Sequence, residues 1–251
     1  MNLANLIVLE NVTTKSLSKN PSGLSMANKL SLINVLLMTL EVQNDVNVKM
    51  GGEEWVDSDN EYITALHVET AECIESIGYE WWKKRTEDRA NTLVELCDIF
   101  TFLISHSMQQ NDVHTLLEGL NTFTIYDSDI AEIDKSDREI EARYLLRSLT
   151  VDVEGYDSGY GLSQLARICL LLDFSFKDLI LTYLCKAKLN KFRTANGYKE
   201  GNYKKIWEDG KEDNYHMMKL LLSEEAQYFD SDLLVNWVFA ELEDHYKEHV
   251  A

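Results

Sequence analysis

Two pairs of carboxylates stand at a spacing that could form a metal site. Glu69 and Glu72 make one pair, and Glu95 and Asp98 make the other. Because residues three apart lie on one face of an α-helix, two antiparallel helices would bring all four side chains into one acidic pocket. Carboxylate oxygens are the ligands that Mg²⁺ takes in proteins. In so acidic a chain such pairs also arise by chance, so their spacing alone does not define a site.

Residues 186–205 form a basic segment, with seven lysines and arginines and a single acid, Glu200. Lys186, Asn190 and Arg193 fall on one helical face, where an ammonium, an amide and a guanidinium could hold phosphate oxygens. Gly197 and the residues after it predict a loop that could close over a bound nucleotide. The alternative is a solvated basic face that balances neighbouring acids.

The acidic pairs and the basic segment are complementary if the ligand is a polyphosphate. Such a ligand carries several negative charges, which Mg²⁺ on one side and Lys or Arg on the other would neutralise. This combination predicts phosphoryl chemistry on a nucleotide.

The elements that must position these residues are predicted to be helices. One proline and 11 glycines in 251 residues leave few turn signals, and apolar residues recur at the helical period. We therefore predict one all-α domain. Helices are predicted at 25–47, 61–84, 91–110, 136–150, 162–172, 175–193 and 231–249.

The boundaries of these helices follow from local signals. Gly51 and Gly52 are predicted to close the first helix, and Asn91 is predicted to be the N-cap of the third. Few residues separate the second and third helices, which predicts an antiparallel hairpin. The first 22 residues are expected to be irregular or briefly extended, and residues 111–135 to form a polar excursion.

Composition excludes several classes of function. The chain has 43 acidic and 24 basic residues, and its net charge of −19 would repel nucleic acids and anionic membranes. No apolar run approaches the roughly 18 residues of a spanning helix. The four cysteines are spread through apolar segments, as expected of buried reduced thiols rather than disulfides or zinc ligands. We expect a soluble, cytoplasmic protein without a signal peptide.

Four motifs appear in an order that resembles a known family. They are Gln43-x-x-Val46-Asn47, then Glu69-x-x-Glu72 leading to Trp81-Trp82-Lys83, then Glu95-x-x-Asp98, and last the stretch from Tyr183 to Asn214. The chain resembles the dimeric all-α dUTPase family of the MazG-like nucleoside triphosphate pyrophosphatases. The resemblance covers residues 36–214 and implies a helical bundle with a four-helix metal-binding core.

The resemblance implies roles for residues that match the motifs. The paired carboxylates Glu69, Glu72, Glu95 and Asp98 would be the metal ligands, with Glu69 and Glu72 also acting in catalysis. The implied nucleotide and phosphate contacts are Lys186, Asn190, Arg193, Tyr198, Lys205 and Asn214. The implied deoxyuridine pocket consists of Gln43, Asn47 and Trp81. The chain departs from the family pattern at Tyr79, Glu80 and Ala187, and these departures bear on base preference.

The expected activity is Mg²⁺-dependent hydrolysis of dUTP, and by family analogy of dUDP, to dUMP. Two or more Mg²⁺ ions, with Mn²⁺ as a substitute, would bind the phosphate chain, and a glutamate would deprotonate the attacking water. The resemblance also implies a homodimer. The expected organisation is an N-terminal extension (1–24), the pyrophosphatase domain (25–222) and a C-terminal helix packed on it (223–251).

Two alternatives stay open from the sequence. One is a phage-type dCTP/dUTP pyrophosphatase, or another MazG-like nucleotide pyrophosphohydrolase, that uses the same metal site. The other is a non-catalytic helical interaction protein whose acids form only a solvated face.

Overall fold

The protein is described by a computed structural model over residues 26–84, 87–124, 130 and 133–250. Of the described residues, 75% are helical and none belongs to a β-strand. The prediction of an all-α fold is therefore confirmed. The predicted N-terminal extension, residues 1–24, lies outside the described residues.

Nine α-helices and three short 3₁₀ turns make up the described part of the chain. The helices are α1 (Met26–Gly51), α2 (Tyr62–Ile77), α3 (Arg89–Gln110), α4 (Leu116–Asn121), α5 (Lys135–Gly155), α6 (Ser158–Leu171), α7 (Phe176–Ala195), α8 (Asp213–Leu221) and α9 (Ser231–His249). The 3₁₀ turns are Trp55–Asp57, Thr122–Thr124 and Glu225–Tyr228.

Helices α2 and α3 pack against each other as the predicted hairpin, but both boundaries differ from the prediction. Helix α2 ends at Ile77 because Gly78 adopts a left-handed φ of 78°, so the predicted extension to Lys84 is wrong. The N-cap of α3 is Asp88, whose side chain accepts a hydrogen bond from the backbone N–H of Asn91. The prediction of Asn91 as the N-cap is therefore wrong.

Helix α7 contacts α1, α3, α8 and α9 and carries many of the buried residues. Its start is fixed by a capping box in which the side chains of Ser175 and Asp178 each bind the other residue's backbone N–H. Because α7 lies against α3, its polar side chains can meet those of the α2–α3 hairpin.

The segment predicted as a polar excursion is in part a core element. Within its described residues, Leu116 and Leu120 of α4 are buried, and α4 packs closely on α6. At Gly159 on α6, a Cβ atom would lie 2.2 Å from the carbonyl oxygen of Thr115. The contact between these two helices therefore requires a residue without a side chain.

The two C-terminal helices, α8 and α9, contact α7. Helix α8 was not predicted, whereas α9 has the predicted bounds and contacts both α7 and α8. All four cysteines are buried and free, as expected. None of the described helices combines the length and the apolar content needed to cross a membrane.

Candidate functional site

An acidic cluster forms where α2 and α3 face each other. Glu69 on α2 and Glu95 and Asp98 on α3 each offer a carboxylate oxygen, and these oxygens lie within 4.8 Å of one another. Glu72 lies one turn after Glu69, and all four acids line one cavity, which is described below. The i,i+3 spacing thus places the four acids on facing helical surfaces, as the sequence predicts.

Crowding and burial raise the pKa of two of these acids. Burial and the neighbouring carboxylates of Asp98 and Glu95 raise the pKa of Glu69 to about 8. Burial and the charge of Asp98 raise the pKa of Glu95 to about 7, although Lys186 opposes this rise. Carboxylates held together at this cost favour a bound cation, which would lower both pKa values.

Asn91 supports the acidic cluster from the first turn of α3. Its Nδ2 donates to Oε1 of Glu95 at 2.9 Å and to Oγ of Ser76 at 2.7 Å. These bonds fix the orientation of the Glu95 carboxylate. Asn91 was predicted only to be a cap, although its position four residues before Glu95 places both on one helical face.

Lys186 connects the acidic cluster to the basic segment. It is only 3% exposed on α7, and its Nζ lies 2.5 Å from Oδ2 of Asp98. Burial disfavours its charged form most strongly, but the charge of Asp98, the hydrogen bond to Asp98 and the neighbouring Cys97 together outweigh this effect, so the pKa of Lys186 is raised. Lys186 is therefore a charged ammonium at neutral pH.

Arg193, two turns further along α7, is held by a buried carboxylate. Its Nε and Nη2 donate to Oδ2 and Oδ1 of Asp213 at 2.8 and 2.6 Å. It also donates to the side-chain oxygens of Asn190, at 3.0 Å, and Asn214, at 2.9 Å. Tyr203 donates its hydroxyl to Oδ2 of Asp213 at 2.8 Å. Asp213 itself is fully buried.

One cavity of about 520 Å³ brings these residues together. All ten residues predicted to bind metal, phosphate or nucleotide line it: Glu69, Glu72, Glu95, Asp98, Lys186, Asn190, Arg193, Tyr198, Lys205 and Asn214. Residues that sequence reasoning did not assign to the site also line it, namely Met50, Asn91, Phe102, Thr194 and Glu212. Lys205 forms an ion pair with Glu212 at 2.8 Å on the rim.

The three residues predicted to form the base pocket do not line this cavity. Gln43 and Asn47 are buried in α1, where Gln43 donates to Asn47 and Asn47 donates to Ser105, both at 2.9 Å. The hydroxyl of Tyr183 lies beside this network, 3.1 Å from the carbonyl oxygen of Thr39 and 3.3 Å from Oε1 of Gln43. Trp81 lies on the surface between α2 and α3 and is 88% exposed. Their role in base binding stays a prediction.

A comparison with protein families shows to which family the chain belongs. A family model described as dUTPase matches residues 35–198, which is more than half of the sequence. Among curated proteins, no match to this sequence is found. The chain belongs to the all-α dimeric dUTPase family, as its motifs predict. Membership of this family supports an enzyme that hydrolyses dUTP.

Proposed function

We propose that the protein hydrolyses dUTP to dUMP and pyrophosphate, that it also converts dUDP to dUMP, and that both reactions depend on Mg²⁺. The observation that carries this proposal is a cavity lined by an acidic cluster on one side and by Lys186, Arg193 and Lys205 on the other. A metal-bound triphosphate needs both kinds of charge around it.

The donor set suits a divalent metal ion. Glu69, Glu95 and Asp98 would hold it through oxygen atoms, the donors that Mg²⁺ and Mn²⁺ prefer, and Glu72 completes the family pattern of four ligands. When bound, the metal would neutralise phosphate charge and lower the pKa of a coordinated water. Two or more ions per site follow from the resemblance to the family.

The chain's own residues then have three tasks. Glu69 and Glu72 are assigned to take the proton from the attacking water. Lys186, Arg193 and Lys205 counter the charge that develops on the phosphates, and Tyr198 and the amides of Asn190 and Asn214 contact the nucleotide. Gln43, Asn47 and Trp81 are assigned to base recognition by family resemblance, since amides offer the paired donor and acceptor that suit uracil.

A homodimer and a cytoplasmic location belong to the same proposal. One face of α5 supports the dimer, because Ile140, Tyr144 and Val151 lie along it and are 57, 63 and 66% exposed. We further propose that residues 25–222 form the catalytic domain, with the C-terminal segment 223–251 packed on it. A nucleotide is the proposed partner, and neither nucleic acid nor a membrane is proposed.

The activity is tested with a panel of nucleotides and one variant. Purified protein with Mg²⁺ should release pyrophosphate from dUTP faster than from dCTP, dTTP, dATP or UTP. A preference for dCTP would favour the phage-type alternative, and absence of turnover with every nucleotide would favour the non-catalytic alternative. Glu72→Gln should abolish turnover while its circular dichroism stays helical, and Glu75→Gln, an exposed acid outside the cavity, is the matched control.

A further inference from the structure

Asp213 is a buried carboxylate to which the family resemblance assigns no role. It is 0% exposed, and its two oxygens accept four hydrogen bonds. The donors are Nε and Nη2 of Arg193, the hydroxyl of Tyr203 and the backbone N–H of Asn214. Four bonds use the lone-pair sites of a carboxylate, so Asp213 is fully engaged within the protein.

Arg193 is almost as fully engaged. Within the described part of the chain, four of its five N–H groups donate to protein acceptors: two to Asp213, one to Asn190 and one to Asn214. Arg193 therefore has one N–H group left for a ligand. It can still add its positive charge to the cavity, but it cannot make a two-pronged contact with the phosphates.

The two asparagines take their orientation from Arg193. In each amide the Oδ1 atom accepts from the guanidinium, at 3.0 Å for Asn190 and at 2.9 Å for Asn214. The Nδ2 atom is therefore the branch turned away from Arg193, and no described residue accepts a hydrogen bond from either Nδ2. Because both residues line the cavity, these amides are unused donors at a site built for an anion.

We propose that Asp213 is a positioning residue for the dUTP hydrolysis proposed above, on which this inference rests. Asp213 fixes Arg193, and Arg193 in turn fixes the amides of Asn190 and Asn214 so that both donate Nδ2–H to oxygens of the phosphate chain. Without this buried pair, either amide could rotate and present its oxygen to the anion. Asp213 and Arg193 thereby hold both amides in the one orientation in which they donate to the anion.

The test compares two substitutions of Asn214 that separate its two contacts. Asn214→Asp keeps an oxygen for Arg193 but replaces the donor by a negative charge, whereas Asn214→Ala removes both groups. The proposal predicts that the two variants rank differently in stability and in binding. Asn214→Asp should be at least as resistant to urea as Asn214→Ala, yet it should bind magnesium pyrophosphate more weakly than Asn214→Ala. Calorimetry should give a dissociation constant for Asn214→Asp that is about tenfold or more above that of the unsubstituted protein. If Asn214→Asp instead binds pyrophosphate as tightly as the unsubstituted protein, Asn214 serves only Arg193 and the proposal is overturned.

Asp213→Asn tests the positioning residue itself. The new amide places a donor against the donors of Arg193, so the KM for dUTP should rise about tenfold, with a smaller fall in kcat. Glu141→Gln is the matched control, since it makes the same change in an ion pair with Arg167, outside the cavity residues, and both constants should stay unchanged. An unchanged KM in Asp213→Asn would contradict the proposal, and if that variant does not fold, the two Asn214 variants decide.

These measurements separate the positioning role from the proposed function. If the unsubstituted protein hydrolyses dUTP but the Asn214 variants bind pyrophosphate in the same order as their stability, only the positioning role fails. If the predicted order of binding is found but no dUTP is hydrolysed, the proposed function fails and the two amides remain anion donors.

Discussion

Glu95→Gln should stabilise the metal-free protein at alkaline pH and remove its stabilisation by Mg²⁺. Glu95 is 7% exposed, and burial together with Asp98 raises its pKa from 4.5 to about 7. A group whose pKa is raised by folding stabilises the protein fully below pH 4.5, and this contribution is lost as pH rises through 7. The glutamine side chain of this variant stays neutral and can still accept a hydrogen bond from Asn91.

The magnitude follows from the same pKa. A rise from 4.5 to about 7 corresponds to about 3 kcal/mol above pH 7, at about 1.4 kcal/mol for each pKa unit. Glu69 is hydrogen-bonded to Glu95 and its own pKa is raised to about 8, so the two acids are not both fully ionised at pH 8 and we expect a smaller gain, about 1–2 kcal/mol. At pH 5 the difference between the two proteins should be small.

The assay is urea unfolding in EDTA at pH 5 and pH 8, repeated at pH 8 with Mg²⁺. Saturation to 100 times the dissociation constant stabilises a protein by about 2.7 kcal/mol, so Mg²⁺ should make the unsubstituted protein the more stable one. Glu75→Gln, at an exposed acid, should change stability by less than about 0.5 kcal/mol. A Glu95→Gln variant less stable than the unsubstituted protein in EDTA at pH 8 would refute the argument that crowded charge destabilises this site.

Gly159→Ala should destabilise the protein by about 2 kcal/mol or more in urea, because its Cβ would meet a backbone oxygen, whereas Gly155→Ala, with nothing within 4 Å, should not. The four thiols should stay unreactive to a disulfide reagent at pH 8 until urea unfolds the protein, since burial raises the pKa of all of them, and fast labelling of native protein would contradict their burial. Trp81→Ala should leave the unfolding midpoint unchanged because Trp81 is 88% exposed, and should raise the KM for dUTP if this residue covers the base; an unchanged KM would remove Trp81 from the base pocket.

The fold was largely predictable because its helices obey local rules. Leu96, Phe100 and Leu103 recur at the helical period in α3, and all are buried. A helix boundary was predicted wrongly where a single residue sets it. Gly78 ends α2 through a left-handed backbone conformation, which the spacing of apolar residues does not reveal. Helix α8 is short and starts within a polar stretch, so periodicity gave no signal for it.

The acidic and basic halves of the site were predictable because helical spacing fixes which side chains share a face. The burial of Asp213 was not predictable, because a carboxylate beside a basic segment has the same sequence pattern whether it is solvated or fully buried. Gln43 and Asn47 are polar residues whose burial in the core could not be predicted from the sequence. Amides at that spacing suit a base, but in the structure they hydrogen-bond each other and Ser105 in the core.

Product analysis of dUTP hydrolysis tests the proposed reaction and its metal dependence together. Chromatography of a reaction with purified protein, dUTP and Mg²⁺ should show dUMP and pyrophosphate appearing in equal amounts, and EDTA should stop the reaction. If the folded, helical protein leaves dUTP intact in both Mg²⁺ and Mn²⁺, the proposed function is wrong. Release of orthophosphate with dUDP as the final product would also contradict it.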